Sequence, residues 1–367
     1  MSILNQWGNS FMDDLGAIRA MIDRIDDDLV KLLNRRAGLA RKIAELKKQK
    51  NSPVYVQSRE NEILKRVAEN NRGPLSSEAL KGVFREIFSA TRSVEKEILV
   101  ACLGPAGTFS HLAAMRLFGA SSKYALESGI ESVFKAVENG KADFGIVPVE
   151  NTIEGAIGQT MDLLTEGRVN IYGETYFDVH HNILSKAASL KNIKTIYTQF
   201  MPLGQCRGWL ARNLPDVRII ETSSSSEAAI RAQKDKTGGA IGAAEAGAIY
   251  GLPILAGKIE DRPGNQTRFF VISLDKAPPS SKDKTSIVFS IKDSSGALHR
   301  ILRPFASKGL NLSKIQSRPT KTPDWEYLFF VDFEGNLGDP GVQWALNRVK
   351  GQTQFFKALG SYPNART

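Results

Sequence analysis

The feature that most constrains this chain is a long apolar stripe near its N-terminus. From Leu15 onward, apolar residues recur every three or four positions, which is the spacing of one face of an α-helix. The stripe consists of Leu15, Ile18, Ile22, Ile25, Leu29, Leu32, Leu39, Ile43 and Leu46. It predicts one helix of about 50 Å that continues to about Lys50 and is ended by Pro53. Because a unit of about 90 residues cannot cover such a helix by folding back on itself, we expect it to intertwine with a second chain.

Two shorter helices follow and complete an all-helical segment. One is predicted over about 58–71, where the sequence RGP at 72–74 breaks it. The other is predicted over about 76–96, with Ser76 or Ser77 as its N-cap. We therefore predict a helical domain over residues 1–97.

The pattern changes at Ile98, where strand-like and helix-like segments begin to alternate. The sequence ILVACLG predicts a short buried strand, and the glycine-containing loop GPAGTFS (104–110) leads into a helix. Alternation of this kind is typical of an α/β domain. We predict such a domain over residues 98–276, with two lobes and a cleft between them.

A different order of elements follows a segment with the composition of a linker. The sequence DKAPPSSKDKT (275–285) is rich in proline, serine and lysine. Beyond it the pattern is strand, helix, strand, strand, helix and a short final strand. This βαββαβ order predicts a ferredoxin-like α+β domain over residues 285–367, so the fold class is multi-domain.

Charge narrows the classes of partner that the chain can have. Its 49 Lys and Arg residues against 39 Asp and Glu residues give a net charge of +10. The excess of cations is four in 1–97, zero in 98–276 and six in 277–367. A DNA-binding domain would concentrate positive charge on one small unit, whereas a thin excess suits small carboxylate anions. We expect neither nucleic acid nor a membrane as a partner.

The N-terminus, cysteines and histidines favour a cytoplasmic protein without a metal or another cofactor. No basic segment followed by an apolar one begins the chain, and no apolar stretch reaches the roughly 18 residues needed to cross a bilayer. Cys102 and Cys206 belong to no CxxC or Cys/His cluster, which favours reduced thiols. The histidines lack metal-ligand spacing. His180 and His181 beside Asp178 could act as a base, but a solvated or structural pair is more common.

One residue interrupts the apolar stripe of the first helix. Arg36 occupies a place on this face where an apolar residue belongs, and Lys47 follows on the same face about three turns later. Cations on a core face are costly unless an anion compensates them. The compensation could come from Glu60 or Glu95, from exposure of the charged ends to solvent, or from an anionic ligand.

Several recognisable motifs lie in the predicted helix that contains Arg36 and Lys47 and in the two helices that follow it. They are LxxxR ending in Arg19, IDxxLVxLLxxR ending in Arg36, the pair Arg59-Glu60, and FREIFSATRSVE (84–95). Residues 13–97 thereby resemble the all-helical chorismate mutases, in which two chains interlock and each site borrows an arginine from its partner. The site residues that the resemblance implies are Arg19 (from the other chain), Arg36, Lys47, Val56, Arg59, Glu60, Thr91 and Glu95.

The resemblance also implies what the three cations do. Arg19 and Arg36 would hold the two carboxylates of chorismate, and Lys47 would contact its ether oxygen and a carboxylate. The rearrangement to prephenate needs no nucleophile. It needs a reactive substrate conformer held in place and donors directed at the ether oxygen, where charge builds up.

The other implied mutase residues address the ring and complete the pocket. Arg59 and Glu60 would contact the ring hydroxyl, with Thr91 and Glu95 completing the site. The resemblance places Val56 where an acidic residue is often found. Since the valine side chain is apolar, only its main chain could serve. Glu95 stands where some relatives have glutamine, and it could donate to the ether oxygen only when protonated.

Four segments stand out in the α/β domain: GPAGTFS (104–110), PVENTIEGAI (148–157), QC (205–206) and NQTRFFVI (265–272). Considered without the other three, the segment GPAGTFS is a glycine-containing loop at a helix N-terminus, where residues 108–110 could bind an anion. It is not a Walker loop, since no Gly-Lys-Ser/Thr follows. Asn151 could be a turn residue, and the TRF sequence a strand entry. In this order, however, the segments resemble prephenate dehydratase over residues 99–274.

This second resemblance implies that Thr267 donates a proton to the ring hydroxyl that leaves prephenate. Loss of that hydroxyl and of the ring carboxylate produces the aromatic ring of phenylpyruvate, so the driving force lies in the substrate. The sequence does not identify a helper group for so weak an acid. The implied substrate-binding residues are Asn151, Thr198, Gln205, Thr267, Arg268 and Phe269, with Arg268 and Thr108–Ser110 as anion partners and Phe269 as a packing residue.

Two short motifs distinguish the C-terminal domain: GAL at 296–298 and QSRP at 316–319. They resemble those of the ACT domain, the amino-acid-sensing domain attached to such dehydratases. The resemblance implies a phenylalanine site at a dimer interface and feedback inhibition. Gln316 replaces the usual glutamate. The implied effector-binding residues are Gly296, Ala297, Leu298, Asn311, Gln316, Ser317, Arg318 and Pro319.

The three resemblances together imply a bifunctional enzyme of phenylalanine biosynthesis that forms a homodimer or a higher homo-oligomer. One alternative is a dehydratase whose helical domain serves only for dimerisation, because Val56 and Glu95 depart from the usual pattern. Another is a ligand-responsive transcription regulator with a helical head and a two-lobed sensor. The first helix is too long for a helix-turn-helix unit, which argues against the regulator.

Overall fold

The computed structural model describes residues 15–49, 53–292, 294–319 and 327–366, with side chains for 15–46 in the first range. In these ranges the chain forms a helical module, a two-lobed α/β module and a C-terminal α+β module. The predicted multi-domain fold class is confirmed. Over the same ranges, no helix is long and apolar enough to cross a membrane.

Three helices form the helical module, as the periodicity predicts. They are α1 (Leu15–Gln49), α2 (Gln57–Asn70) and α3 (Ser77–Glu95). Ser76 caps α3, because its hydroxyl oxygen accepts a hydrogen bond of 3.1 Å from the backbone N–H of Ala79.

The apolar stripe of α1 is uncovered in the single chain. Eight members of the stripe have exposed fractions between 49% and 62%: Leu15, Ile22, Ile25, Leu29, Leu32, Leu39, Ile43 and Leu46. A continuous apolar surface of this length is typical of an interaction site. The helical module therefore has a short internal core and one long face that it does not cover itself.

The α/β module alternates strands and helices along the chain. Its elements are β1 (Leu99–Leu103), α4 (Phe109–Phe118), β2 (Lys123–Glu127), α5 (Ile130–Glu138), β3 (Phe144–Asn151), β4 (Gly155–Ala156), α6 (Gly158–Glu166), β5 (Asn170–Asp178), β6 (Asn182–Ser185), β7 (Thr195–Thr198), α7 (Phe200–Gln205), α8 (Arg207–Asn213), β8 (Arg218–Glu221), α9 (Ser225–Lys234), β9 (Gly238–Gly242), α10 (Ala244–Tyr250), β10 (Ile254–Ala256) and β11 (Gln266–Ser273).

Each lobe of this module is built on one mixed sheet. The first has the strand order β2-β1-β3-β11-β5, with β4 paired to β3, and the second has the order β10-β6-β9-β7-β8. The last strand, β11, returns to the first lobe and lies antiparallel between β3 and β5. The chain therefore crosses between the lobes twice, at 179–181 and at 257–265, and these two crossings lie side by side.

The C-terminal module has the predicted ferredoxin-like order. Its elements are β12 (Asp283–Ile291), α11 (Ala297–Ser307), β13 (Leu312–Pro319), β14 (Tyr327–Glu334), α12 (Pro340–Lys350) and β15 (Phe355–Pro363). They form an antiparallel sheet in the order β13-β14-β12-β15, which leaves β13 as an edge strand.

The predicted linker, 275–285, is too long at its C-terminal end. β12 begins at Asp283, and Asp283 and Lys284 are buried rather than solvated. The polar composition of this segment wrongly predicts an exposed linker, because the charges of Asp283 and Lys284 have partners inside the protein. Asn336 donates a hydrogen bond of 2.5 Å to Asp283, and Lys284 pairs with Glu174 at 2.6 Å.

The C-terminal sheet packs against the first-lobe sheet through a shared apolar core. Phe270 and Ile272 of β11 lie in one cluster with Val288, Phe330 and Leu359 of the C-terminal module. At its centre the ring of Phe270 makes an edge contact with Tyr362, with ring centroids 5.7 Å apart. The two modules are therefore joined by a core like that within a domain.

A buried group of charges, which we call the ionic cluster, lies beside this shared core. It consists of Arg268, Glu174, Lys284 and Asp332, all with exposed fractions of 6% or less. Arg268 contacts Glu174 at 2.7 Å and Asp332 at 2.6 Å, and Lys284 contacts the other oxygen of Glu174 at 2.6 Å. Burial opposes the charge of Arg268, but Tyr362, Asp332 and Glu174 outweigh it and raise the pKa of the guanidinium.

The helical module is anchored in the α/β module by Tyr55, which lies between α1 and α2. Its ring is only 1% exposed and packs against Phe118, Phe144 and Tyr172, with ring centroids 4.8–6.0 Å apart. The hydroxyl of Tyr172 donates a hydrogen bond to the backbone carbonyl of Tyr55. A residue of the helical module thus completes the core of the first lobe.

We predict that Tyr55→Ala destabilises the α/β module, although Tyr55 lies outside it in sequence. Loss of a buried aromatic ring should lower the free energy of unfolding by about 3–5 kcal/mol. Tyr55→Phe is the matched control. The Tyr55 hydroxyl has no hydrogen-bond partner among the described residues, so its removal should change the free energy of unfolding by less than about 0.5 kcal/mol. Urea unfolding measures both, and equal losses would contradict the ring-packing account.

A second prediction concerns the ionic cluster. Arg268→Met leaves two buried carboxylates without their main partner and should lower the free energy of unfolding by about 3–5 kcal/mol. Arg231→Met removes an arginine of similar size from an exposed pair with Glu227 and should change the same quantity by less than about 1 kcal/mol. Denaturant unfolding at neutral pH compares them. Similar values for the two variants would contradict the larger cost that burial gives to the loss of Arg268.

Candidate functional site

Thr267 and Asn151 lie together where the first lobe meets the second. Thr267 is near the start of β11, Asn151 is at the end of β3, and the two residues are direct partners in the antiparallel register. The Thr267 side-chain oxygen accepts a hydrogen bond of 2.9 Å from Nδ2 of Asn151. Two predicted site residues, far apart in sequence, are thus brought into contact by strand pairing.

The orientation of the Asn151 amide is set by the backbone. Its Oδ1 accepts hydrogen bonds from the backbone N–H groups of Ile153 at 2.9 Å and Glu154 at 3.2 Å, which can only donate. Nδ2 must therefore face Thr267 and Asn265. Because the Thr267 oxygen accepts from this amide, its own hydroxyl hydrogen is not used in that bond and can be donated to another acceptor.

The same network continues into the second lobe through Asn265 and Gln205. Asn265 accepts from Asn151 at 2.7 Å and donates to Oε1 of Gln205 at 2.8 Å. Gln205 in turn donates to Glu154 at 3.3 Å. Gln205 and Glu154 also line a cavity of about 490 Å³ together with Ile153 and Phe200. Three predicted residues (Asn151, Gln205 and Thr267) and two that were not predicted (Asn265 and Glu154) therefore form one hydrogen-bonded group.

Thr198 and Phe269 are buried and, within the described residues, make no hydrogen bond to this group. Thr198 is fully buried at the end of β7, and its hydroxyl donates to the backbone carbonyl of Gln199 at 3.1 Å. Phe269 is 1% exposed and belongs to the apolar core, in agreement with a packing role.

The structure corrects the proposed role of Arg268 as an anion partner in the cleft. Successive side chains of a strand point to opposite faces of the sheet, so Arg268 points away from the face that Thr267 uses. Its guanidinium lies in the ionic cluster against Glu174 and Asp332. We therefore assign Arg268 to the contact between modules.

The helix N-terminus at 108–110 lies at the edge of the cleft. Thr108 is the N-cap of α4, and its hydroxyl both donates to the carbonyl of Leu103 at 2.5 Å and accepts from the N–H of His111 at 3.3 Å. Phe109 lines a cavity of about 800 Å³ between the lobes, opposite Asn182 and Ala243. The Thr108 side chain is thus engaged in capping its own helix.

In the helical module, Arg36 is brought together with residues of α3. Its guanidinium donates to the Thr91 hydroxyl oxygen at 2.6 Å and lies over the Phe88 ring, 5.4 Å from the ring centroid. Burial lowers the pKa of Arg36, and the nearby carboxylates of Glu60 and Glu95 oppose that shift. The structure therefore brings together four predicted mutase residues around the Arg36 guanidinium: Arg36 itself, Glu60, Thr91 and Glu95.

Other predicted mutase residues are placed differently. Arg59 is exposed and pairs with Glu62 at 3.0 Å, and Arg19 is exposed on the free part of α1. Val56 is the N-cap residue of α2, without a side-chain capping bond. The backbone of Lys47 belongs to α1, but its side chain lies outside the described residues.

Arg92 is a residue of this region that the sequence did not single out. It is buried, pairs with Glu60, donates to the carbonyl of Phe118 at 2.6 Å, and lies over the ring of Tyr55. Arg92 therefore connects Glu60 of α2 to Phe118 of the α/β module. Arginine in the last turn of a helix has an ordinary capping explanation, so nothing in the sequence distinguished it.

The predicted effector-binding residues lie on two elements of the C-terminal module. Gly296 is the N-cap of α11 with φ of 74°, followed by Ala297 and Leu298 in the first turn. Arg318 on the edge strand β13 pairs with Asp162 of α6 at 3.2 Å. In the single chain this arginine thus connects the C-terminal module to the first lobe. The rest of the predicted set, Asn311, Gln316, Ser317 and Pro319, lies on β13 or directly before it.

Three family models match the chain in the order of its modules. The chorismate mutase type II model matches residues 18–96, the prephenate dehydratase model matches 100–277, and the ACT domain model matches 285–351.

Curated relatives match over nearly the whole chain. A bifunctional chorismate mutase/prephenate dehydratase of Aquifex aeolicus is 45% identical over 96% of this chain and 99% of its own. One of Neisseria gonorrhoeae is 40% identical over 95% and 96%. The crystal structure of prephenate dehydratase in complex with L-Phe from Arthrobacter aurescens is 33% identical, covers 73% of this chain and 91% of its own, and has a TM-score of 0.68. The chain therefore belongs to the bifunctional chorismate mutase/prephenate dehydratase family.

Proposed function

We propose that this chain converts chorismate to prephenate in its helical module and prephenate to phenylpyruvate in its α/β module, under feedback control by phenylalanine. Membership of the family supports both activities. The observation that carries the dehydratase assignment is the contact between Thr267 and Asn151 at the meeting point of the lobes. A cytoplasmic location and the domain bounds 1–97, 98–276 and 285–367, the last with its start moved to Asp283, are parts of this proposal.

The dehydratase step needs a proton at the leaving hydroxyl and surroundings that do not stabilise the ring carboxylate. In this proposal Thr267 supplies the proton, because its oxygen accepts from Asn151 and its own hydroxyl hydrogen is left for another acceptor. Carbon dioxide and water then leave together, and solvent returns a proton to Thr267. The groups around it (Asn151, Asn265 and Gln205) are uncharged amides. With Arg268 turned to the other face, no arginine from β11 stabilises the departing carboxylate.

The mutase step needs two cations for two carboxylates, and one chain supplies them too far apart. Arg19 and Arg36 are 17 positions apart on α1, which is about 25 Å along a straight helix. The uncovered stripe of α1 is suited to pairing with a second copy of the helix. In our proposal the chain is a homodimer, and Arg19 of the partner subunit joins Arg36, Thr91 and Glu95 in each site.

Phenylalanine is the proposed effector of the C-terminal module. The similar dehydratase of Arthrobacter aurescens was crystallised in complex with L-Phe. The start of α11 at Gly296 and the edge strand β13 are the elements proposed to hold it. Lys314 of β13 pairs with Glu150, the neighbour of Asn151, at 2.7 Å. A shift of β13 on effector binding would therefore reach the dehydratase site directly.

Thr267→Ala should abolish the second activity and spare the first. Without the hydroxyl donor, turnover of prephenate should fall by at least about 100-fold, while chorismate is still converted to prephenate at the wild-type rate. Thr195→Ala, in a strand of the second lobe, is the control and should retain both activities. Both reactions are followed spectroscopically with and without phenylalanine. Substantial phenylpyruvate formation by the Thr267 variant would rule out Thr267 as the donor.

A mixture of two inactive chains should regain mutase activity if each site is shared between subunits. Arg19→Ala and Arg36→Ala should each lose mutase activity when pure. After unfolding and refolding together, half of the dimers are mixed and one site in each is intact, so about a quarter of wild-type activity should return. The same variants refolded separately are the control. Failure of the mixture to exceed the pure variants would contradict a shared site.

A further inference from the structure

His181 lies in the first crossing between the lobes and reaches the network around Thr267. Its side chain is 1% exposed, and its Nε2 is 2.8 Å from Oε1 of Gln205. The hydrogen bonds therefore run without interruption from Thr267 through Asn151, Asn265 and Gln205 to His181.

The donor and acceptor of each hydrogen bond in this series follow from the orientation of Asn151, which the backbone fixes. The backbone N–H groups of Ile153 and Glu154 orient Asn151, whose Nδ2 then requires the carbonyl oxygen of Asn265. Asn265 must then present Nδ2 to Gln205, so the Gln205 atom at this junction is its oxygen. An oxygen can only accept, and His181 must therefore carry its hydrogen on Nε2.

The surroundings of His181 favour the neutral ring. Burial lowers the pKa of His181, with Gln205 and Glu260 opposing the shift and His180 adding to it. Nδ1 has no hydrogen-bond partner in the part of the chain that the structure describes. The ring is held by an edge contact with Phe109, with ring centroids 5.9 Å apart. The bond to Gln205 is thus the one polar contact that the described residues give this ring.

We propose that His181 is a positioning residue for the dehydration reaction: its Nε2–H fixes the Gln205 amide so that the two lobes close on a correctly oriented Thr267. This inference rests on the proposed dehydratase function. His181 touches neither Thr267 nor, in this proposal, the substrate.

The physical reason lies in the two donors that converge on Gln205. With both the Asn265 amide and the His181 ring donating to Oε1, a reversed amide would bring donor against donor on both sides. Without His181, one of the two donors to Oε1 is lost. Reversal of the amide is then opposed only by Nδ2 of Asn265 and by the longer bond from Nε2 of Gln205 to Glu154. A reversed amide would set N–H groups against Nδ2 of Asn265 and would break the contact between α7 of the second lobe and the second crossing.

Three substitutions at one position test this proposal. His181→Leu removes the donor and keeps an apolar side chain. His181→Gln places an amide nitrogen near the position of Nε2 and can still donate to Gln205. His181→Asn has the same chemistry but is one carbon shorter, so it is the matched control that cannot reach. Turnover of prephenate, turnover of chorismate by the same chain, and urea unfolding are measured for each.

We expect His181→Leu and His181→Asn to lower kcat for prephenate about tenfold, with a smaller change in KM, and His181→Gln to recover most of it. Mutase turnover and unfolding should stay near wild type. Wild-type kcat in all three variants, or equal losses in Gln and Asn, would overturn the donor role. Parallel loss of mutase activity and stability would make His181 structural and also overturn it. If wild-type protein fails to convert prephenate, the proposed function itself is wrong, which is a separate outcome.

Discussion

The alternation of side chains along β11 is the constraint on which the rest of the arrangement depends. Thr267 and Arg268 are neighbours in sequence, yet one faces the cleft and the other enters the buried contact with the C-terminal module. A single strand therefore carries both the hydroxyl that we propose as the proton donor and the attachment of the C-terminal module. Contacts on both faces of β11 fix its register. A slip of one residue would turn Thr267 and Arg268 to the opposite faces, and both sets of contacts would be lost. The flanking strands β3 and β5 hold that register.

Much of the fold could be predicted from periodicity and element order. The stripe of α1, the break at RGP and the βαββαβ order depend on local spacing, and the structure reproduces each of them. Thr267, Asn151 and Gln205 could be named in advance from motifs. Strand pairing brings Thr267 and Asn151 together, and Asn265 connects them to Gln205. Arg268 was placed on the wrong face because a motif gives the order of residues without the register of the strand. Arg92, Asn265 and His181 were not chosen, because their partners lie between 24 and 114 residues away.

The ionic cluster illustrates a compromise between strength and specificity. Removing four charges from water is costly, and an apolar cluster of equal size would serve as well for stability alone. The adjoining apolar core, with Phe270 and Leu359, already supplies the attraction between the sheets. What the charges add is a requirement that β11, β5, β12 and β14 meet in one alignment, because any other would leave a charge buried without its partner. The C-terminal module is thus held in a defined position relative to the strand that carries Thr267.

The insertion of Tyr55 has a consequence for how such a chain can be divided. A fragment that begins at Ile98 would match the dehydratase by sequence, but it would lack the ring that fills the space among Phe118, Phe144 and Tyr172. A helical fragment that ends there would instead expose that same ring to water. Separation of this chain into two working enzymes, by gene fission or by protein engineering, therefore requires compensating substitutions in the first lobe. The covalent fusion is reinforced by packing, so a cut alone does not separate the two modules.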